Sequence, residues 1–252
     1  MYQEERQKLI LEYVNRKKKV STQELSENFQ TSVVTIRSDL NALEKKGLLV
    51  KAHGGAMANS YKINDVIPSD IKFKKNVSEK KKIAAIAKRY ISSNDVIIID
   101  SGSTTLELAK VIEDENLTVY TNDLQIALEL AKKPNVVLNV TGGELIKGVY
   151  TFAGTETSDY YLNISADKLF LSCDALDLEF GISNRDKREI PIKQNMIKAS
   201  REITLMLDHT KLNSKVLMKV TDLDNLDRII VDQIDEPLRK AIEKKGIEVI
   251  TE

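Results

Sequence analysis

The chain has 252 residues, of which 42% are hydrophobic and 30% charged, proportions typical of a globular protein. No apolar run approaches the roughly 20 residues that a membrane-spanning helix requires. The first twenty residues mix charges throughout and lack the apolar stretch of a signal peptide. One cysteine and two histidines argue against an intramolecular disulfide and against a zinc or iron site. We therefore expect a cytoplasmic protein without membrane contact, metal or cofactor.

Positive and negative charges balance over the whole chain but not along it. Residues 1–94 carry 19 Lys and Arg against 10 Asp and Glu, whereas residues 95–252 carry 19 against 28. A basic N-terminal part favours contact with a polyanion, and the acidic remainder would stay away from it. Chance clustering in a charged protein is the alternative explanation of these counts.

Three amphipathic helices are predicted in the first sixty residues. An apolar stripe runs through residues 9–14, and Ser21-Thr22 opens the second helix as an N-cap. Thr31-Ser32 caps the third helix, which is predicted over 33–46 and is followed by a short apolar strand at 48–50. Three compact helices and a short β-wing are typical of a winged helix-turn-helix. A three-helix protein-interaction module with a solvated charged face has the same pattern.

The third helix carries the candidate DNA contacts, because its N-terminal half enters the major groove in that fold. Arg37 can present a bidentate fork to a guanine or a charge to a phosphate. The lysines that flank the helix are candidates for phosphate contacts, which add affinity without sequence information. With a histidine of the wing, the predicted DNA-binding residues are Ser32, Thr35, Arg37, Ser38, Lys45, Lys46, Lys51 and His53.

A linker is predicted between two domains. Residues 58–77 lack clean periodicity and contain Pro68. They would join a DNA-binding domain at 1–57 to a second domain at 78–252.

The second domain is predicted to begin with an amphipathic helix opened by Ser78. Its apolar side includes Ile83 and Ile86, and its lysines, Lys80 among them, lie on the other faces. We predict that these lysines form a solvated face of the domain. Contact with DNA or with an acidic partner is the alternative.

From residue 95 onward, short β-rich runs alternate with helical stretches. Such alternation implies a mainly parallel sheet covered by helices, so the predicted fold class is α/β. The predicted strands lie at 96–99, 117–121, 136–140, 169–172, 203–207, 229–231 and 249–250.

Polar loops rich in small residues follow the first three strands, at 100–105, 121–123 and 141–143. Ligands of open α/β sheets bind beyond the carboxyl ends of the strands. In the first loop, Gly102 permits close backbone approach and the neighbouring hydroxyls are donors. The helix that follows points its N–H groups at the same place, which suits a phosphate. The Walker A pattern is absent. Plain capping of that helix is the alternative interpretation.

Residues 2–56 resemble the DNA-binding domain of the DeoR family of bacterial regulators of sugar metabolism. The resemblance rests on the core Thr35-Ile36-Arg37-x-Asp39-Leu40 and on the ending His53-Gly54-Gly55-Ala56. The family usually has a second arginine where this chain has Ser38, so one contact to DNA is lost. Asp39 is expected to orient Arg37 or to accept a local hydrogen bond.

Residues 78–235 resemble the effector-binding domain of the same family, which is similar in fold to ribose-phosphate isomerase. The matching stretches are IIIDSGSTTLELAK, TNDLQIALEL, VTGGELIKGVYTFAG, EIPIKQNMIKAS and LMLDHTKL. The resemblance implies a phosphorylated sugar as effector, with its phosphate in the first loop. The sequence around Asp174 departs from the family pattern. Its side chain either binds sugar hydroxyls or accepts hydrogen bonds from the backbone of the loop. The predicted effector-binding residues are Asp100, Ser101, Gly102, Ser103, Thr104, Thr105, Asn122, Gly142, Gly143, Asp174, Glu189, Lys193 and Lys211.

The resemblance implies a DNA-binding transcriptional regulator without catalytic residues. By the commoner habit of the family it would be a repressor of a sugar-metabolism operon, released from operator DNA by a phosphosugar. Two-fold operator sites favour a homodimer or homotetramer. An isomerase-like enzyme with a DNA-binding appendage is the alternative, and its base would have to be Asp174 or Glu189. A purely structural or interaction protein is a third possibility, which predicts neither DNA binding nor phosphosugar binding.

Overall fold

The computed structural model describes residues 3–45, 49–52, 54–58, 66–113 and 116–251. The predictions for Lys46 and His53 lie outside the described residues, as does the side chain of Lys45. The chain divides into two units, Met1–Lys62 and Ile63–Glu252. Within the described ranges, none of the helices has both the length and the apolar character needed to span a bilayer.

The N-terminal unit contains three helices and a three-stranded antiparallel sheet in the order β1-β3-β2. In chain order its elements are α1 (Gln3–Lys17), β1 (Lys19–Ser21), α2 (Thr22–Asn28), α3 (Val33–Lys45), β2 (Leu49–Ala52) and β3 (Gly55–Ala58). The arrangement confirms the predicted winged helix-turn-helix.

One apolar core joins the elements of the N-terminal unit. Ile10 of α1, Leu25 of α2 and Ile36 of α3 are fully buried in it. Both predicted caps are present, because Ser21 Oγ accepts the N–H of Glu24 and Ser32 Oγ accepts that of Thr35.

The short strand β1 is absent from the sequence-based predictions, because three residues are too few to display an alternation. It pairs with β3 at a close approach of the two backbones. A Cβ at Gly55 would lie 2.0 Å from the carbonyl oxygen of Val20. A residue without a side chain is therefore needed where the wing meets β1.

The C-terminal unit is an α/β domain with a seven-stranded sheet. Its helices are α4 (Ser69–Lys72), α5 (Val77–Lys88), α6 (Ser103–Val111), α7 (Leu124–Leu130), α8 (Thr155–Tyr160), α9 (Glu189–Ala199) and α10 (Glu236–Glu243). Its strands are β4 (Val96–Ile99), β5 (Leu117–Thr121), β6 (Val136–Val140), β7 (Glu144–Ile146), β8 (Thr151–Ala153), β9 (Ala166–Leu171), β10 (Ala175–Asp177), β11 (Gly181–Asn184), β12 (Ser200–Leu207), β13 (Met218–Thr221), β14 (Arg228–Val231) and β15 (Glu248–Ile250).

The strand order in the large sheet is β15-β14-β12-β9-β4-β5-β6, and every pairing in it is parallel. Ile97 and Ile99 of β4 belong to one buried cluster with residues of α5 and α6. Ile98 belongs to a second cluster with residues of α9 and α10. Because both faces of β4 are covered, its sequence is continuously apolar. The predicted α/β fold class is confirmed.

The beginning of the C-terminal unit differs from the prediction. The helix α5 begins at Val77, with Asn76 and not Ser78 at its N-cap. Lys80 is 3% exposed and so does not belong to a solvated face. Residues 69–72, predicted as linker, form α4 within the C-terminal unit.

Two small antiparallel sheets, β7-β8 and β10-β11-β13, lie outside the predicted alternation. Their strands have three or four residues each. They are formed by segments at the carboxyl edge of the large sheet, where the loops after β4, β5 and β9 also lie.

Candidate functional site

The loops that follow β4 and β5 are joined by hydrogen bonds between side chains. Ser101 Oγ donates to Asp123 Oδ2 over 2.6 Å and also lies within hydrogen-bonding distance of Thr151 Oγ1. Asp123 also caps α7, because its Oδ1 accepts the N–H groups of Gln125 and Ile126. Burial raises the pKa of Asp123 to about 6. These contacts hold the first loop in position against the second.

The first loop packs closely on the end of β9. A Cβ at Gly102 would lie 2.7 Å from both Cβ and Oγ of Ser172. The carbonyl oxygen of Gly102 accepts from Thr105 Oγ1 over 2.9 Å. The backbone of Gly102 is extended, so the need for glycine here arises from this contact and not from an unusual φ.

The N-terminus of α6 leaves donors at the loop. The N–H groups of its first turn have no acceptor within the helix, and the helix dipole favours a negative charge there. Thr104 Oγ1 is buried and has no hydrogen-bond partner within the described part of the chain. An unsatisfied buried hydroxyl next to such a helix end fits an anion-binding site.

A buried ion pair lies beneath the loop. Lys193 Nζ is 2.5 Å from Asp100 Oδ2, and both side chains are 1% exposed. The same carboxylate oxygen accepts from the N–H and the Oγ of Ser172. Burial acts to lower the pKa of Lys193, but the carboxylates of Asp100 and Glu189 raise it above its ordinary value. The ammonium group of Lys193 therefore stays charged at neutral pH and is satisfied by the side chain of Asp100.

The opposite side of the cleft carries both signs of charge. Asp174 Oδ1 lies 2.8 Å from Lys72 Nζ and 3.4 Å from an Arg185 guanidinium nitrogen. Burial acts to raise the pKa of Asp174, but Lys72 and Arg185 hold it well below its ordinary value. Lys211 Nζ donates to the carbonyl oxygen of Cys173 over 2.7 Å.

Glu189 lies on the same side of the cleft and is buried. Its Oε2 accepts from Asn184 Nδ2 over 3.1 Å, and burial raises its pKa. The thiol of Cys173 is buried too, and burial raises its pKa to about 11, so it stays protonated at neutral pH.

The cleft between these groups is small. Its volume is about 20 Å³, roughly the room that one water molecule needs. Six of the predicted effector-binding residues line it, together with residues that the sequence did not single out. The lining consists of Ser69, Lys72, Ser101, Gly102, Ser103, Val149, Ser172, Cys173, Asp174, Asn184, Glu189 and Lys211.

The remaining predicted effector residues lie beside or below the cleft. Asn122 Nδ2 donates to the carbonyl oxygen of Phe152, while its buried Oδ1 has no partner among the described residues. The carbonyl oxygen of Gly142 accepts from Thr157 Oγ1 over 2.6 Å. A Cβ at Gly143 would lie 2.1 Å from the same Oγ1. Contact of these residues with an effector therefore stays a prediction, while their packing role is visible.

Two residues of the site had a signal in the sequence that points to their position. Asp123 precedes a helical stretch, as an N-cap does, and this cap also reaches Ser101. Ser172 directly follows a predicted strand, at the edge where polar loops gather. Lys72 and Ser69 had no such signal, because the segment that carries them has no periodicity.

The exposed face of α3 is the candidate DNA-binding surface. Ser32, Arg37 and Ser38 are exposed there, whereas Thr35 is half-buried, and contact of these residues with DNA stays a prediction. Val34 is 74% exposed on the same half of the helix and was not predicted to take part. An exposed apolar side chain at this place suits contact with a thymine methyl group.

Two polar groups of the N-terminal unit have partners that the sequence did not indicate. Asp39 is buried and accepts from Arg6 and Gln7 of α1. The expectation that Asp39 orients Arg37 is therefore wrong; the carboxylate joins α3 to α1. Lys51 is exposed, and its Nζ lies 2.5 Å from Asn41 Oδ1 at the surface.

Comparison with protein families assigns both units. The model described as "DeoR-like helix-turn-helix domain" matches residues 6–62, and the one described as "DeoR C terminal sensor domain" matches residues 75–233. The chain belongs to the DeoR family. As a DeoR-family member it is a DNA-binding transcriptional regulator, and the predicted family and function class are confirmed.

Relatives in this family align with nearly the whole chain. The uncharacterized HTH-type transcriptional regulator YulB of Bacillus subtilis is 35% identical and covers 97% of this chain and 95% of its own length. The putative aga operon transcriptional repressor of Escherichia coli O157:H7 is 33% identical, with coverages of 98% and 93%. Among solved structures, ribose 5-phosphate isomerase A from Methanocaldococcus jannaschii is 15% identical over 55% of each chain, with a TM-score of 0.40.

Proposed function

We propose that this DeoR-family regulator represses a sugar-metabolism operon and that a phosphorylated sugar, bound in the cleft at Gly102, controls its affinity for the operator. The observation that carries the proposal is the anion site at the start of α6. There a glycine loop leads into the free N–H groups of the helix, and the buried hydroxyl of Thr104 in its first turn has no partner within the described residues. The name of the aga operon relative supports repression of an operon.

In this proposal the loop residues 101–105 hold the phosphate, while Asp174, Glu189 and Lys211 face the sugar. Asp100 and Lys193 support the loop from below through their ion pair. Asn122, Gly142 and Gly143 shape the neighbouring loops. The operator is bound by α3 and the wing, and two-fold operator symmetry makes a homodimer or homotetramer the working assembly in the cytoplasm.

The site is proposed to sense its ligand without converting it. A general base works best with a pKa near the working pH. The low pKa of Asp174, paired with Lys72 and Arg185, does not suit proton abstraction, so an enzyme would have to use Glu189, whose pKa burial raises. Incubation of the protein with sugar phosphates should therefore leave the isomer ratio unchanged, as followed by NMR; measurable turnover would favour the enzyme.

The proposal is tested by thermal unfolding of the full-length protein with sugar phosphates, the parent sugars and inorganic phosphate. A ligand at a hundred times its dissociation constant stabilises the folded state by about 2.7 kcal/mol. We expect one sugar phosphate to raise the melting temperature while its parent sugar does not. The same compound should lower the affinity for an operator duplex obtained by in vitro selection. If no phosphorylated sugar of a broad panel binds, the proposed effector class is wrong.

A further inference from the structure

The helix α4, which is the first helix in the described part of the C-terminal unit, contributes to the effector cleft. The helix α4 is separated from β3 of the DNA-binding unit by only ten residues of chain, and Ser69 and Lys72 of α4 line the cleft. Ser69 is fixed by two hydrogen bonds: its N–H donates to Gly148 and its Oγ to Val149, over 2.8 and 2.9 Å. The helix α4 is thus part of the proposed binding site.

At its C-terminal end, α4 is held by hydrogen bonds from a buried lysine. Lys80 Nζ donates to the carbonyl oxygens of Lys72 and Lys75, over 2.5 and 2.6 Å. Lys80 is 3% exposed, and burial lowers its pKa to about 8. The ammonium group thus adds a hydrogen bond to the Lys72 carbonyl, which also accepts the N–H of Lys75, and one to the Lys75 carbonyl beyond the end of α4.

Between these two attachments, Lys72 holds its ammonium group at the cleft. Its side chain is 24% exposed, and it pairs with Asp174, whose side chain is 6% exposed. Asp174 has further partners, because Arg185 supplies both its guanidinium at 3.4 Å and its N–H at 3.1 Å. Asp174 would therefore keep a cation and a hydrogen bond if Lys72 turned away from it.

We propose that Lys72 is a ligand of the effector phosphate and that its transfer from Asp174 to the phosphate is the step that couples effector binding to DNA binding. The inference rests on the proposed function. The phosphate at Gly102 and the carboxylate of Asp174 compete for one ammonium group, since both lie on the lining of the same small cleft. When the phosphate binds Lys72, α4 is drawn onto the effector; in sequence α4 lies ten residues after β3 of the DNA-binding unit. Each ligand state then has its own contacts, as allosteric coupling requires.

The first test compares Lys72→Met with Lys74→Met in the full-length protein. Lys74 is an exposed lysine two residues further along, so the control variant loses the same charge. Calorimetry would measure binding of inorganic phosphate, ribose 5-phosphate, fructose 1-phosphate, fructose 6-phosphate and glucose 6-phosphate. For each phosphate compound that binds the wild type, we expect Lys72→Met to lower the binding affinity by about tenfold, as for loss of a charge-assisted hydrogen bond. Lys72→Met should also nearly abolish the effect of these compounds on operator affinity. Lys74→Met should retain both the affinity for the compounds and their effect on operator binding.

The second test uses Asp174→Asn and inorganic phosphate. The amide retains an acceptor for the N–H of Arg185 but releases the ammonium of Lys72. Phosphate should therefore bind this variant more tightly than the wild type, and Lys72→Arg should retain most of the affinity. A lysine with a purely structural role predicts a lower melting temperature for Lys72→Met without change in phosphate affinity or coupling, and that outcome overturns the inference.

Different experimental results would contradict the proposed function and the role of Lys72. If a sugar phosphate binds the wild type and Lys72→Met equally and controls DNA affinity in both, the proposed function stands and the role of Lys72 is wrong. If none of the phosphate compounds binds the wild type, the effector class is wrong and the role of Lys72 falls with it.

Discussion

At the scale of single residues, the buried Asp100–Lys193 pair supports the loop of the proposed binding site from below. Both charges are buried and satisfied within the described residues, so the pair fixes the loop ahead of any effector. The resemblance to the DeoR family implied that both residues lie around the effector. It could not show that the lysine of α9 and the aspartate after β4 meet below the loop.

Removal of one partner from this pair should be costly. We predict that Lys193→Met lowers the free energy of unfolding by about 3–5 kcal/mol, because it leaves the carboxylate of Asp100 buried without a cation. Urea unfolding of the full-length variant measures the effect. Lys198→Met, at an exposed position of the same helix, is the matched control and should change stability little. The double variant Asp100→Asn with Lys193→Met should be more stable than Lys193→Met alone; equal stability would contradict this explanation.

On the DNA-binding face, Arg37 carries the sharpest prediction. Arg37→Ala should weaken binding to a selected operator duplex by about 1–3 kcal/mol, because an exposed fork of donors on α3 is lost. Fluorescence anisotropy at fixed salt gives the affinities. Arg201→Ala removes the same charge from a side chain that is 75% exposed in the C-terminal unit, and it should bind as the wild type does. If the two variants bind alike, Arg37 has no recognition role.

At the scale of elements, the contact between Gly102 and β9 decides the shape of the anion site. Gly102→Ala places a methyl group 2.7 Å from Ser172, so the loop must shift. We predict loss of sugar-phosphate binding with operator binding retained, measured by calorimetry and anisotropy on the same preparation. Adding Ser172→Gly removes the obstructing side chain and should restore part of the ligand affinity. Unchanged effector binding in Gly102→Ala would show that the loop does not hold the phosphate.

How far the sequence predicted each element depended on what stabilises it. The strands of the large sheet were predicted, because burial on both faces gives them continuous apolar runs such as residues 96–99. The helices capped by Ser21 and Ser32 were predicted from their capping residues. The helix α4 was missed, because its four residues are held by Gly148, Val149 and Lys80 and not by any local pattern. For the same reason, the burial of Lys80 could not be predicted from its position on α5.

At the scale of the whole molecule, the buried carboxylates make stability depend on pH in opposite directions. Asp123 has its pKa raised from 3.8 to about 6, so the folded state holds this proton more tightly than the unfolded chain. Its contribution to stability is complete below pH 3.8 and is lost as the pH rises through 6. Asp174 has its pKa lowered, so its contribution is present above pH 3.8 and is lost as the pH falls.

The two windows adjoin near pH 4, and the pH range above it belongs to the carboxyl groups whose pKa is raised, Asp123 and Glu189; a variant of Asp123 isolates the first of them. We predict that Asp123→Asn gains stability relative to the wild type over this range, up to about 3 kcal/mol. Asparagine retains an acceptor for the N–H groups of α7, so the helix cap survives. Urea unfolding at pH 4.5, 5.5 and 6.5 tests the prediction. A constant difference between variant and wild type across these pH values would contradict it.

The small volume of the cleft affects the rate at which a ligand can bind. A space of about 20 Å³ does not admit a sugar phosphate, so association has to wait for the cleft to open. In a stopped-flow experiment the observed rate constant should therefore level off at high ligand concentration, at the rate of opening, instead of rising linearly. Motions of this kind commonly take microseconds to milliseconds. The cell would then receive the metabolic signal no faster than α4 and its neighbours move apart, however abundant the sugar becomes.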